Sequence, residues 1–213
     1  MDSKQKQEVI NNSAIVCGAP IENNEWFLEE IYKHDFIIAA DSGYDHLKNV
    51  DVVPNVLIGD MDSISTVPQN IELHKFPTKK DKTDFAICLD FCLENGISQV
   101  DVYGAWGRRA DHSICAVLTM LQYAKKGLEI RMLTETSEMF ILFDKCNIPH
   151  NDGYVSVFPL EASAEGVTLK NFEYPLDNCD LDCCSPLGVS NSIPGEDGEI
   201  SLKNGSLLVI IQK

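Results

Sequence analysis

Basic residues are scarce in this chain of 213 residues. It has 17 lysines and arginines against 33 aspartates and glutamates, which gives a formal net charge of −16. A protein that neutralises a nucleic-acid backbone needs a positively charged surface, so this balance argues against a nucleic-acid partner. A protein of this charge that handles phosphates would instead need divalent cations and a few well-placed basic side chains.

Long apolar runs are also missing from the sequence. No run approaches the length of a membrane span, and hydrophobic residues make up 44% of the chain, as in ordinary soluble proteins. Residues 1–12 are polar and contain no apolar core of a signal peptide. We therefore expect a cytoplasmic protein without a membrane partner, long enough for one large domain or two small ones.

The eight cysteines lack the spacing of a common zinc site. No Cys-x-x-Cys pair occurs, and the cluster of Cys179, Cys183 and Cys184 has no histidine close to it in the sequence. Thiols stay reduced in the cytosol. We therefore expect free cysteines rather than a disulfide framework or a metal site.

Apolar strands alternate with helical segments in the first half of the chain. Strands are predicted at residues 13–17, 36–40, 56–58 and 98–103, with helices between them and after the last. This alternation predicts a parallel sheet with helices on its faces. Ligands bind at the carboxyl ends of the strands in such sheets, and Gly18, Asp41 and Asp60 each fall at a predicted end of this kind.

Two carboxylates, Asp60 and Asp62, follow the buried strand at residues 56–58. Two hard oxygen ligands one residue apart in a turning loop suit Mg²⁺, which completes its coordination with water and substrate phosphates. In the alternative interpretation both side chains only accept hydrogen bonds from nearby backbone amides of a turn. Their position at a strand end favours the metal.

Two further polar segments allow both a structural and a functional interpretation. Residues 79–84 precede a helix, where Asp81 and Asp84 could form a capping box or the helix N-terminus could bind a phosphate. Residues 104–112 combine two glycines, two arginines and an Asp-His pair between a strand and a helix. Asp111 could cap that helix, but glycines admit a ligand close to the backbone and arginines grip phosphate oxygens.

Strand follows strand in the second half of the chain. The Asn204-Gly205 pair between two apolar runs predicts a hairpin. Together the two halves predict an α/β N-terminal domain with a largely parallel sheet, residues 1–134, and an all-β sandwich domain, residues 135–213.

Five short segments resemble those of the thiamine pyrophosphokinase family, in the same order and spacing over nearly the whole chain. They are Ala40-Asp41-Ser42-Gly43, Gly59-Asp60-Met61-Asp62-Ser63, Lys80-Asp81-Lys82-Thr83-Asp84, residues 104–112, and Val189-Ser190-Asn191. The resemblance implies transfer of the pyrophosphoryl group of ATP to the hydroxyl of thiamine, which gives thiamine diphosphate and AMP and uses Mg²⁺. It also implies an α/β domain and a β-sandwich domain, paired in a homodimer with active sites between subunits.

The resemblance assigns roles to the matching residues. Asp60 and Asp62 would hold Mg²⁺ together with Asp84 or Asp81, and Asp41 would lie in the same catalytic cluster and orient the thiamine hydroxyl. Ser190 and Asn191 would contact the aminopyrimidine of thiamine. The ATP side would be formed by Lys80, Asp81, Thr83, Arg109, Asp111 and His112.

Some positions depart from the family pattern, and the same motifs are also compatible with two alternative functions. Arg108 stands beside Trp106 where a glycine is expected, and residues 178–188 are unusually rich in cysteine. A pyrophosphokinase acting on a hydroxymethyl pterin would keep the chemistry, and a non-catalytic sensor of thiamine diphosphate or nucleotide would keep the fold. Ser190-Asn191 and the strand-rich second half favour thiamine, and Asp60-Met61-Asp62 argues against a sensor.

Overall fold

A computed structural model of the chain describes residues 12–61, 71–76 and 81–213. The described part contains helices α1 to α4 and strands β1 to β13. In chain order they are β1 (Ser13–Val16), α1 (Asn24–Ile31), β2 (Phe36–Ala40), α2 (Gly43–Asn49), β3 (Val56–Gly59), β4 (Glu72–Lys75), α3 (Asp84–Glu94), β5 (Gln99–Tyr103), α4 (Ala110–Ala124), β6 (Glu129–Leu133), β7 (Ser137–Leu142), β8 (Lys145–Ile148), β9 (Val155–Pro159), β10 (Ser163–Lys170), β11 (Leu176–Asp182), β12 (Gly198–Ser201) and β13 (Leu207–Gln212). No described helix has both the length and the apolar character needed to cross a membrane.

The larger sheet has nine strands in the order β4-β3-β2-β1-β5-β6-β7-β13-β9. The six strands from β4 to β6 are parallel, as the alternation of apolar strands and helices predicts. Strands β1, β2, β3, β5 and β6 therefore all end at one edge of this sheet, which we call the carboxyl edge. Because β7, β13 and β9 are antiparallel to their neighbours, β7 and β9 begin at the carboxyl edge and β13 ends there.

The smaller sheet has four antiparallel strands in the order β11-β10-β12-β8. It packs against β7, β13 and β9 over a shared apolar core, to which the larger sheet contributes Leu142, Val157, Leu207 and Val209 and the smaller sheet Ile148, Val167, Leu169 and Ile200. A parallel α/β part is therefore followed by a β-sandwich. The predicted fold class is confirmed.

The α/β part and the sandwich share one continuous sheet. Strand β6 pairs with β7 directly after a short turn, and Met139 of β7 and Leu208 of β13 pack into the same apolar core as α3 and α4. The division into domains at residue 134 stays a prediction, and the backbone hydrogen bonds of the larger sheet continue across that position.

The hairpin predicted at Asn204-Gly205 is wrong. Strand β12 pairs with β10 and β8 in the smaller sheet, whereas β13 pairs with β7 and β9 in the larger one. The Asn204 carbonyl accepts a hydrogen bond from the backbone N–H of Glu165, and Gly205 has φ +95°. The turn therefore carries the chain from one sheet to the other, because both flanking strands bury their apolar residues in the shared core from opposite sides.

Candidate functional site

Asp41 lies at the carboxyl edge, directly after β2. Its backbone N–H donates to the carbonyl of Ile58 in β3 at 2.8 Å, and its side chain rests against Gly59. A Cβ on Gly59 would stand 2.9 Å from the Cβ of Asp41, so only glycine allows this approach. Asp41 therefore lies beside the residue that precedes Asp60.

Asp84, the first residue of α3, lies near the end of β1. Burial raises the pKa of the Cys17 thiol to about 12, and the charge of Asp84 adds to this effect. Cys17 directly follows β1, which lies next to β2. Asp41, Asp60 and Asp84 therefore lie near the carboxyl ends of three adjacent strands.

This gathering of carboxylates suits a hard divalent cation, because Mg²⁺ prefers oxygen ligands and usually takes one or two carboxylates. All three side chains are partly accessible to solvent, so water and substrate oxygens could complete a coordination shell. Asp62, the fourth predicted carboxylate, lies outside the described residues, as does Lys80.

Backbone conformation distinguishes Met61, which follows Asp60, and the predicted site residue Ser190. Among the described residues, six that are not glycine have positive φ, and four of these are aspartate or asparagine, which tolerate that region. The other two are Met61 at φ +66° and Ser190 at φ +55°. Met61 follows Asp60, and Ser190 precedes Asn191. Strain of this kind concentrates at functional sites, and no composition or periodicity pattern could have revealed it.

The loop after β5 touches the loop after β1. Gly104 has φ +63°, and a Cβ there would stand 2.3 Å from the carbonyl oxygen of Cys17. The backbone N–H of Ala19 donates to the Gly104 carbonyl at 2.7 Å. The buried hydroxyl of Ser113 accepts from the N–H of Gly107 at 3.1 Å, which ties the loop to α4. Residues 104–109, which we call the glycine-rich loop, are therefore held at the carboxyl edge beside the carboxylates.

Arg109 occupies the N-cap position of α4, so the alternative in which Asp111 caps this helix does not hold. Its guanidinium donates to both carboxylate oxygens of Asp111, at 2.7 and 3.3 Å. These hydrogen bonds lower the pKa of Asp111 and raise that of Arg109. About two thirds of each side chain is exposed. His112 is exposed on the first turn of the same helix, so these three of the six predicted ATP-side residues are accessible to a ligand.

Thr83 is the N-cap of α3, and Asp81 is not. The Thr83 hydroxyl accepts a hydrogen bond from the backbone N–H of Ala86 at 3.2 Å. Of the two interpretations left open for this segment, the capping box of Asp81 and Asp84 is therefore excluded. Asp81 is exposed just before the helix.

A cavity of about 430 Å³ opens at the carboxyl edge between the glycine-rich loop and the turn that joins β6 to β7. Trp26 and Trp106 line it together with Asn23 and Glu135, whose side chains share a 2.8 Å hydrogen bond. Its size is that of a small-molecule pocket, and its aromatic walls suit a planar ring. This cavity could not be predicted from the sequence, because Asn23 and Glu135 are 112 residues apart in the chain.

Ser190 and Asn191 lie at the far end of the same edge. The backbone of Asn191 pairs with Val155 at the start of β9, and its side chain is 3% exposed. That side chain accepts from the N–H of Tyr174 at 3.0 Å and donates to the Tyr174 carbonyl at 2.8 Å. Asn191 therefore fixes the Tyr174 loop, whereas Ser190 beside it is exposed.

Within one chain, the predicted carboxylates and the predicted thiamine-binding residue Ser190 are far apart. Five strand-to-strand steps separate β1, near the carboxylates, from β9, near Ser190. At about 4.8 Å for each step, the ends of β1 and β9 lie roughly 24 Å apart along the edge. A single thiamine molecule does not bridge that distance.

Comparisons with known proteins agree with this architecture. Residues 27–132 match the family model described as "Thiamin pyrophosphokinase, catalytic domain", and residues 145–207 match "Thiamin pyrophosphokinase, vitamin B1 binding domain". The thiamine pyrophosphokinase of Bacillus subtilis (strain 168) is 29% identical over 209 residues, which cover 92% of this chain and 96% of that protein.

Solved structures show the same fold. The crystal structure of the Bacillus subtilis thiamine pyrophosphokinase superposes with a TM-score of 0.84 at 24% identity and covers 94% of this chain and 98% of its own. That of the Geobacillus thermodenitrificans thiamin pyrophosphokinase gives a TM-score of 0.79 at 26% identity, with 94% and 97% covered. The likeness extends through both the α/β part and the sandwich.

Proposed function

This chain belongs to the thiamine pyrophosphokinase family, and we propose that Asp41, Asp60 and Asp84 at its carboxyl edge form the centre of the reaction. The enzyme transfers the pyrophosphoryl group of ATP to the hydroxyl of thiamine and gives thiamine diphosphate and AMP. The gathering of these three carboxylates beside the glycine-rich loop carries the proposal. A net charge of −16 favours small-molecule substrates over nucleic acid.

Asp60 and Asp84, with Asp62, would hold Mg²⁺. The cation would supply the positive charge that neutralises the phosphate oxygens. The residues themselves position the reactants, since phosphoryl-type transfer asks little covalent chemistry of a protein. Asp41, fixed by its backbone bond to Ile58, would orient the thiamine hydroxyl. The acidic cluster also attracts the cationic thiazolium ring.

The glycine-rich loop and the N-terminus of α4 would bind the phosphates of ATP. Backbone N–H groups at a helix N-terminus favour an anion, and Arg109 adds a forked donor. Arg109, Asp111 and His112 are all exposed there. In this arrangement Thr83 contributes by capping and so positioning α3. Asp81 lies before that helix and is exposed to solvent.

We propose that the working enzyme is a homodimer with its active sites between subunits. Within one chain, Ser190 beside β9 lies five strand-to-strand steps from β1 and further still from β2 and β3, so it stands roughly 24 Å or more from the carboxylates at about 4.8 Å a step. A partner's sandwich can bring a second copy of Ser190 to this carboxylate centre. Exposed Tyr154, Tyr174 and Val189 near Ser190 would supply apolar contact area there. No disulfide joins any of the cysteines in the described part of the chain, which fits the cytoplasmic location we propose.

We expect Arg109→Lys to lower turnover with ATP about tenfold or more, because lysine offers a point charge in place of a fork that binds two oxygens. Arg109→Ala should lower it further, and Arg108→Ala should have a milder effect. Steady-state kinetics and melting temperature should be measured on all three variants.

The melting temperature decides between a phosphate role and a structural one for Arg109. The Arg109–Asp111 pair is about two thirds exposed, and exposed pairs contribute little stability. Melting should therefore change little in all three variants. A large fall in melting temperature with unchanged turnover would make Arg109 structural.

Purified protein with ATP, Mg²⁺ and thiamine should form AMP and thiamine diphosphate in equal amounts. The matched control replaces thiamine with a hydroxymethyl pterin, which should give no AMP above the rate without acceptor. AMP formed only with the pterin would assign the rival acceptor. Thiamine diphosphate binding without AMP formation would indicate a sensor.

A further inference from the structure

The turn after β11 places two thiols and a carboxylate side by side. Asp182 is the last residue of this strand, and Cys183 and Cys184 follow it. All three side chains are exposed. Their ligand atoms, two Sγ and one carboxylate oxygen, all lie within 4.8 Å of one another. None of these residues takes part in the pyrophosphoryl transfer proposed above.

The spacing of the two sulfur atoms matches tetrahedral metal coordination. The Sγ atoms of Cys183 and Cys184 are 3.8 Å apart. Two thiolates bound to one metal at about 2.3 Å with a tetrahedral angle stand about 3.8 Å apart. The two thiols therefore need little movement to hold a common ion.

Backbone hydrogen bonds hold the turn in this shape. Cys183 N–H donates to the carbonyl of Ala162 at 3.1 Å, and Ser185 N–H donates to the carbonyl of Asp182 at 3.0 Å. Cys184 N–H donates to the Oδ1 of Asp182 at 2.8 Å, which orients the carboxylate. A site that is already ordered loses less conformational entropy when it binds a ligand.

We propose that Asp182, Cys183 and Cys184 form a surface site for a thiophilic divalent cation such as Zn²⁺, with water in the fourth position. Two thiolates and one carboxylate favour zinc or cadmium over Mg²⁺, which binds hard oxygen ligands. The sequence spacing alone argued against this site, because adjacent cysteines without a nearby histidine match no common zinc pattern. The structure adds what the sequence does not show: the position of the Asp182 carboxylate beside the thiols and the distance between the two sulfur atoms.

The proposed site lies at the start of the segment that leads to Ser190. After the turn, the N–H of Val189 donates to the carbonyl of Pro186, and the N–H of Val157 donates to the carbonyl of Gly188. A bound ion would therefore tie down the first residues of this segment.

Cadmium titration of the full-length protein tests the site, with a non-thiol reductant and excess Mg²⁺ present to occupy the acidic cluster. One equivalent of Cd²⁺ for each chain should produce thiolate-to-cadmium charge-transfer absorption, and Zn²⁺ should displace it. Cys183→Ser and Cys184→Ser should each weaken Cd²⁺ binding at least tenfold, and Asp182→Asn should weaken it less. Cys115→Ser, which removes an exposed thiol on α4, is the matched control and should bind like the unmodified protein.

Two results would overturn the proposal. The first is an absent charge-transfer band, which would mean that the two thiols share only a weak S–H···S contact. The second is equal Cd²⁺ binding by the Cys183→Ser/Cys184→Ser double variant and the unmodified protein. Circular dichroism of every variant should match the unmodified chain, so that a loss of binding reports on the ligands and not on folding.

Discussion

Replacing Asp60 with asparagine is expected to abolish turnover and leave the fold intact. Loss of one group that stabilises charge in a transition state typically costs about a hundredfold to a thousandfold in rate. Asp60 follows β3 at the carboxyl edge and is partly accessible to solvent, so an amide of the same shape fits there. AMP formation and the melting temperature should both be measured. The sequence predicts the same outcome for Asp62→Asn.

Asp51→Asn provides a matched control for this loss of charge. Asp51 is exposed after α2 at φ +56°, a conformation that asparagine also tolerates. The control removes one negative charge outside the acidic cluster and should keep normal turnover. If Asp60→Asn formed AMP at nearly the normal rate, Asp60 would be only a turn residue.

The strands that position the carboxylates could be predicted because their sequences are strongly apolar. Strands β1, β2 and β3 are buried almost throughout, so each appears as a continuous apolar run that ends at a glycine or an aspartate. The rule that ligands bind at the carboxyl ends of such strands groups Asp41 and Asp60 from the sequence alone. The structure places both residues at that edge, and their catalytic roles stay predictions.

Strands β4, β8 and β11 were missed because they bury little. Three of the four residues in β4 are exposed, and in β11 only Leu181 is buried. Strands of this kind are formed by hydrogen bonds to a neighbour and carry no apolar alternation. The wrong hairpin at Asn204-Gly205 has a related cause: a turn sequence specifies a change of direction but not which sheet the next strand joins.

Mixing the Asp60→Asn and Ser190→Arg variants, each inactive alone, is expected to restore activity if the active site lies between subunits. Asp60→Asn damages the carboxylate side of the site. Ser190→Arg places a bulky side chain where we propose that the aminopyrimidine lies. In a mixed dimer the undamaged Asp60 of one chain faces the undamaged Ser190 of the other, so one site of two is intact. Random pairing makes half of the dimers mixed, which predicts about a quarter of normal turnover.

A second mixture, Asp60→Asn with Asp41→Asn, distinguishes a site shared between subunits from simple stabilisation of one variant by the other. Asp60→Asn and Asp41→Asn both damage the carboxylate side, so every site in their mixed dimers carries one lesion and no activity should return. Subunits must first be exchanged, for example by brief mild denaturation and refolding, and mass spectrometry should confirm the mixed dimers. If neither mixture regains turnover although mixed dimers are present, Ser190 acts elsewhere. If activity returned in both mixtures, the proposed site would be excluded, because a site made of the carboxylates of one chain and Ser190 of the other is damaged in every mixed dimer of the second mixture.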